Sequence, residues 1–305
     1  MVQKALHCIA FFLLSFTILS NCPASASDNQ VHYMLGLEMG IQSNLFQERG
    51  LDGNSVFITR MTGGLEFKHR VSPRSYIQAE LMVRQHIYSE FGQANYPQFQ
   101  AEILYRLGGT KMSAAWETGI DRLLYVSDKV GDVMYDEQDF GLSIERELPL
   151  DHSLRFEAIW GDEDYIENAS GRNQSSRKLG LRWKYKKIKS FTPQIGFRWG
   201  NERAEDTRYS MDRQELWFGA SASVKQHLGI YSKYRIRFKD YITEDASNYN
   251  FGRADTVHTF VIEARIPVIE HLDIVVKESY EHGNSSRLDR NYSDNVFTLQ
   301  TELTF

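Results

Sequence analysis

Tyr292-Ser-Asp-Asn-Val-Phe-Thr-Leu-Gln-Thr-Glu-Leu-Thr-Phe305 closes the chain as a strictly alternating stretch. Phe297, Leu299, Thr301, Leu303 and Phe305 fall on one face, and Val296, Thr298, Gln300, Glu302 and Thr304 on the other. Such a period of two marks a strand with one apolar and one polar side. An uncapped amphipathic strand at a terminus offers a free edge to other chains, which soluble domains avoid. A closed barrel removes that edge, because its last strand pairs with its first.

The alternation recurs along the chain. It predicts strands near 31–44, 55–70, 74–88, 95–107, 111–127, 133–147, 152–165, 174–188, 190–204, 212–227, 229–243, 253–267, 270–283 and 293–305. That makes about fourteen, or twelve if two weak hairpins merge. Short connections contain Val71-Ser-Pro-Arg74, Gly108-Gly-Thr110, Pro149-Leu-Asp151, Lys187-Ile-Lys189, His227-Leu-Gly229 and Pro267-Val-Ile-Glu270. They alternate with longer polar ones, from Glu48–Asn54 to Asn284–Asn291. A soluble sandwich predicts no such odd–even asymmetry, and its strands are commonly about five or six residues long. The reading is all-β: a transmembrane antiparallel up-and-down barrel with short periplasmic turns and longer extracellular loops.

The closing segment is similar to the C-terminal signature of bacterial outer-membrane β-barrel proteins, in which a terminal Phe or Trp is read by the assembly machinery. The resemblance implies that Phe305 is an assembly signal and that the barrel-assembly machinery is a partner during biogenesis. It further implies an architecture like that of monomeric porin-like channels, surrounded by outer-membrane lipid.

The other end fits export. Lys4, the apolar run Ala5–Leu19 and Ala24-Ser-Ala26 read as a cleavable signal peptide over 1–26, leaving a barrel domain over 27–305. Leu19-Ser-Asn-Cys22 approaches a lipobox, but Asn21 is a poor residue before the Cys. Both cysteines, Cys8 and Cys22, lie in the leader, so the mature chain is expected to have no disulfide or thiol chemistry. The formal charge of −5 becomes one unit more acidic once Lys4 is removed, and argues against a nucleic-acid partner. A mean hydropathy of −0.45 excludes a helical membrane protein but not a barrel, where only alternate residues face lipid.

Apolar stripes name the outer face: Leu35, Leu37 and Met39; Leu81 and Val83; Phe156, Ala158 and Trp160; Leu179, Leu181 and Trp183; Phe260, Ile262 and Ile266. The opposite phase is charged and sorted by sign. Acids prevail in the first seven strands, where Glu80, Glu102, Glu117 and Glu145 are expected to form an acidic lumen wall. Bases prevail later, where Arg182, Arg198, Lys233, Arg235 and Arg237 are expected to form a cationic wall. Strands adjacent in sequence are adjacent in a meander, so these walls would set a transverse field across a water-filled channel. Ion pairing inside a plugged barrel is the alternative.

Searches for chemistry found little. No serine stands in a recognisable motif with His86, His258 or His271, and His258 reads as an interfacial or lumen residue. Gly161-Asp-Glu-Asp-Tyr165, then Glu202 with Glu205-Asp206, are the best acidic sets at the outer rim, without ordered metal-ligand spacing. No catalytic residue, metal site or cofactor is therefore expected. The loop Tyr280–Tyr292 looks like those of barrels that handle polysaccharides. The leading expectation is a monomeric channel for passive diffusion of small hydrophilic or charged solutes, oligosaccharides among them. An export barrel moving a polysaccharide or lipoprotein with periplasmic partners, or a closed structural or adhesive barrel, are the other readings.

Overall fold

In the computed structural model, residues 29–43, 55–89, 95–125, 132–165, 170–186, 190–224, 228–287 and 290–305 are described. Residues 1–28, which include the expected leader, the tips of several long loops, the turns through Lys187–Lys189 and His227, and the side chains at 121, 123–125, 132–133 and 170 lie outside them.

Fourteen strands follow one another: β1 (Asn29–Gln42), β2 (Val56–Ser72), β3 (Ser75–Tyr88), β4 (Tyr96–Leu107), β5 (Thr110–Tyr125), β6 (Asp132–Leu148), β7 (His152–Tyr165), β8 (Gln174–Tyr185), β9 (Phe191–Ala204), β10 (Met211–Ser223), β11 (Gly229–Tyr241), β12 (Ala254–Ile269), β13 (Leu272–Ser285) and β14 (Tyr292–Thr304). Each pairs antiparallel with its sequence neighbours, and β14 pairs with β1, so the sheet closes without an edge. The alternative count of twelve strands does not occur. The short connections gather at one end, the turn end, together with both ends of the described chain; the long ones gather at the loop end.

The seam is fastened at both extremities. At the turn end, Tyr33 and Phe305 exchange backbone hydrogen bonds of 3.0 Å each, and the Phe305 ring lies 6.3 Å from that of His271. At the loop end, Ser43 N donates to Asn295 O (2.9 Å), and Gln42 Nε2 donates to Asp294 Oδ2 (2.8 Å). Without this pairing, every inward and outward assignment would lose its meaning, because an open sheet would expose two ladders of unpaired N–H and C=O groups.

The strands are staggered. From Asn29 at the turn end of β1, paired residues run through His69, Ile77, Tyr105, Met112, Ile144, Phe156, Leu181, Phe197, Leu216, Ile236, His258 and His282 to Ser293 at the loop end of β14. Gln42, 13 residues along β1 from Asn29, pairs with Val296, and Ser293 lies three residues further toward the loop end, so the stagger is about 16 residues. Fourteen strands about 4.8 Å apart with that stagger tilt by about 40° and enclose a backbone cylinder of roughly 13–14 Å radius.

Apolar side chains face outward. Leu81 (58% exposed), Ile103 (59%), Phe156 (53%) and Leu179 (57%) stand on the outer surface, as the alternation predicts. Among the described residues the buried apolar set is small by comparison: Val56, Ile58, Tyr88, Trp217, Val257 and Val275. A monomer in water does not expose a continuous apolar belt of this kind, whereas lipid covers it without penalty. The molecule is a transmembrane barrel with an inverted polarity.

Trp217 shows how tightly the inner wall is fitted. Its indole lies flat against Gly196 on the neighbouring strand, and a Cβ on that glycine would sit 1.9 Å from the ring. Gly196→Ala therefore forces Trp217 off the wall. It is expected to destabilise the refolded barrel by about 1–3 kcal/mol, measured as an earlier midpoint in urea unfolding followed by tryptophan fluorescence.

Candidate functional site in the barrel lumen

Inward positions of β8 to β11 carry a dense group of bases, as the alternation predicts. Their centre, however, is an acid. Glu215 on β10 is only 2% exposed and has four guanidinium groups around it: Arg198 at 3.7 Å, Arg213 at 3.5 Å, Arg235 at 3.9 Å and Arg237 at 3.5 Å. Three of these arginines reach a second carboxylate. Arg198 meets Glu157 at 2.5 Å, Arg213 meets Glu202 at 3.0 Å, and Arg235 meets Glu281 at 3.6 Å. Thr259 Oγ1 links the last pair, accepting from Arg235 Nη2 (3.1 Å) and donating to Glu281 (3.0 Å). Hydrogen bonding stays incomplete on both sides, since the buried Nε atoms of Arg213, Arg235 and Arg237 and the Oε2 atom of Glu215 all lack a hydrogen-bond partner in the protein.

The rim of this cluster is aromatic. Lys233 lies 5.2 Å from the centre of the Trp217 ring and Arg198 lies 5.9 Å from it, so the indole face accepts both cations. Sequence reasoning passed over Glu215, Arg213 and Trp217. Their phase was readable, because Leu216 and Phe218 point outward. What alternation does not reveal is the convergence of four strand-borne arginines on one carboxylate.

The acidic sector is built differently. Glu66, Glu80 and Glu102 are direct cross-strand partners on β2, β3 and β4, a row of like charges. Gln78 Nε2 donates to Glu66 (2.9 Å), and Gln98 Nε2 donates to Glu117 (2.5 Å). Among the described residues, none of these four carboxylates has an ion-pair partner within 4.0 Å. Glu145 behaves otherwise. It pairs with Arg182 (3.2 Å), two strands away, and with Lys186 (3.6 Å), which ties it to the basic sector rather than to the free carboxylates.

Register sets the relative heights. Paired residues starting from Glu80 run Glu102, Ala115, Gly141, Ile159, Lys178, Gly200 and Arg213. Because the strands tilt, that line climbs toward the loop end on its way round. The acidic row on β2 to β4 therefore lies nearer the turn end, and the arginine cluster on β9 to β11 lies across the barrel and nearer the loop end. The charge separation is diagonal rather than purely transverse.

Near the loop end on the acidic side, inward aromatic rings stack from strand to strand. His86 and Tyr96 lie 4.3 Å apart at 7°, and Tyr135 and Tyr165 are 5.0 Å apart. Arg122 sits between Tyr96 (5.1 Å) and Tyr135 (5.4 Å) and pairs with Glu137. His258 resolves to the outer face, where its Nδ1 lies 2.8 Å from the Tyr234 hydroxyl. The acidic rim sets are engaged. Glu163 accepts from Gln174 Nε2 (2.7 Å) and Tyr165 (2.9 Å). The side-chain and backbone hydrogen bonds from Arg208 hold the Asp206 carboxyl below the usual carboxylate range. Among the described residues no three His, Cys, Asp or Glu side chains converge as metal ligands.

This geometry places the chain in the fold class of bacterial outer-membrane barrels. Among solved structures it is similar to OmpTdeltaL8, the loop L8 deletion mutant of OmpT, an outer membrane protein of Vibrio cholerae (TM-score 0.55, 9% identity, 92% of this chain and 100% of that one). It is also similar to the outer membrane channel DcaP of Acinetobacter baumannii (0.52, 12%, 93% and 99%) and to a bacterial polysaccharide outer membrane secretin (0.52, 11%, 92% and 99%). No family model and no curated protein matches the chain. At such low identities the likeness is one of fold.

Removing the central acid exposes the logic of the cluster. Glu215→Ala leaves four arginines facing one another and is expected to cost about 3 kcal/mol. Glu117→Ala, at an exposed carboxylate without an ion pair, should change stability by less than about 0.5 kcal/mol. Urea titration of the two refolded variants measures both. Reversing Arg235 and Arg237 to Glu would set two carboxylates against Glu215 and is expected to prevent refolding before it alters selectivity.

Proposed function

We propose that this barrel is an outer-membrane channel through which small hydrophilic or charged solutes diffuse passively, without cofactor, energy source or covalent chemistry. The observation that carries the reading is the row Glu66, Glu80 and Glu102: three abutting carboxylates with no ion-pair partner among the described residues, facing inward. A dry, side-chain-filled interior would make such a row very costly, whereas water and mobile cations in an open lumen relieve it. A cylinder of roughly 13–14 Å radius leaves room for that water once side chains are in place. The fold shared with an outer membrane channel supports the same reading.

In this reading Glu80, Glu102 and Glu117 form the acidic wall, with Glu145 at its border. Arg182, Arg198, Lys233, Arg235 and Arg237 form the cationic wall, held in place by Glu145, Glu157, Glu215 and Glu281. A solute with separated charges orients in the field between the two as it passes. The apolar belt contacts outer-membrane lipid, the turn end faces the periplasm, and the chain works as a monomer exported through the 1–26 leader. Phe305, on the outer face at the seam, serves as the assembly signal.

The refolded 27–305 chain should give steady single-channel conductance in a planar bilayer. Glu80→Gln with Glu102→Gln should lower the cation-to-anion permeability ratio by about twofold, because it removes unpaired charge that no arginine compensates. The zero-current potential under a potassium chloride gradient reads this directly. A folded but silent barrel would favour export or a structural role instead.

A further inference from the structure

At the turn end, three consecutive hairpins are tied into one rigid frame. Gly108 N donates to Arg74 O (2.8 Å), joining the β4–β5 turn to the β2–β3 turn, and Glu147 N donates to Gly109 O (2.7 Å), joining β6 to the same turn. Gly108 adopts φ +56°, a conformation that permits the reversal and suits glycine. The Ser72 and Ser75 hydroxyls, 2.5 Å apart, close the base of the β2–β3 turn. This frame borders a half-open cleft of about 650 Å³, within the range that holds small ligands, lined by Lys68, Arg70, Arg74, Tyr76, Arg106 and Glu147 among others.

Its charge is one-sided. Lys68 lies 4.8 Å from the centre of the Tyr76 ring, which positions the ammonium without neutralising it. Arg106 is aimed by a hydrogen bond from its Nε to Gly108 O (3.1 Å) and lies 3.4 Å from Glu147. That carboxylate is already shared with Lys186 at 3.7 Å. Lys68, Arg70 and Arg74 form no ion pair among the described residues. Four cations thus line a preformed cleft whose single acid is divided between two bases. Convergent guanidinium groups on a fixed backbone suit phosphate and carboxylate oxygens.

We propose that this turn-end pocket is a binding site for a small multivalent anion carrying phosphate or clustered carboxylate groups. The site lies on the lumen wall at its turn-end mouth, since Lys68, Tyr76 and Arg106 share the inward face of Glu66, Glu80 and Glu102. Glu66 follows Lys68 on the inward face of the same strand, so the acidic row begins immediately above the pocket and repels an anion that would move inward. The anion is held at the mouth rather than conducted.

Isothermal titration of the refolded 27–305 barrel in neutral detergent, with inorganic pyrophosphate and with citrate as probes, tests the assignment independently of any conductance. The expected result is saturable one-site binding of at least one probe, weakened by added salt. Arg70→Gln with Arg74→Gln, both at exposed positions, should lower that affinity by about tenfold. Lys68→Gln with Arg106→Gln serves as a second variant, each being checked for folding by circular dichroism. Preference for pyrophosphate or citrate decides between phosphate and carboxylate chemistry. Absence of saturable binding of either probe up to about 1 mM, or unchanged affinity in the folded variants, overturns the proposal.

Discussion

The hydrogen-bonded seam between β1 and β14 is the constraint on which everything else in this barrel rests. A strand within lipid has no water to satisfy its N–H and C=O groups, so each must find a partner in the sheet. Thirteen hairpin pairings come from neighbours in sequence, but the fourteenth joins the two ends of the chain and carries the largest loop-closure entropy. It is accordingly fastened twice, by the Tyr33–Phe305 exchange at the turn end and by Ser43, Gln42, Asp294 and Asn295 at the loop end. Closure then fixes the parity of every strand, and parity decides which residues meet lipid and which meet the lumen.

Within that frame the two signs of charge are handled in opposite ways. Arg198, Arg213, Arg235 and Arg237 on β9 to β11 are pinned: each touches Glu215, and three of them touch a second acid. Pinning long side chains keeps them against the wall and out of the opening, at the expense of rotamer entropy. Among the described residues Glu66, Glu80 and Glu102 have no ion-pair partner, although Gln78 donates a hydrogen bond to Glu66. Charge visible by count is therefore not the charge left without an ion pair on the lumen wall. In the pinned cluster four guanidinium groups are set against Glu157, Glu202, Glu215 and Glu281 and their charges largely offset, while the carboxylates without ion pairs act individually.

Most of the architecture was legible along the chain because a period of two is a local property. Leu81, Ile103, Phe156 and Leu179 could be assigned outward, and Glu80 or Arg198 inward, from their own neighbours alone. The count of fourteen followed from the alternation of short and long connections. Arg198, Arg235 and Arg237 were read as one wall for the same reason. Glu145 was grouped with the free acids because it lies among them in sequence, yet its partner Arg182 stands two strands away. Glu215 was overlooked although its phase was plain, because nothing local distinguishes it from any other inward acid.

The sequence by itself determined the strands, their faces, the closed topology and the sorting of acids and bases between the two halves of the chain. These follow from alternation, turn chemistry and the order of residues, each readable within a few positions. Only the tertiary structure decided which charges are paired, how high each wall stands in the barrel, and that three turns border a basic cleft. Those properties depend on the stagger of roughly 16 residues accumulated around the sheet. Stagger brings together side chains from strands far apart in sequence, at heights that no local pattern encodes.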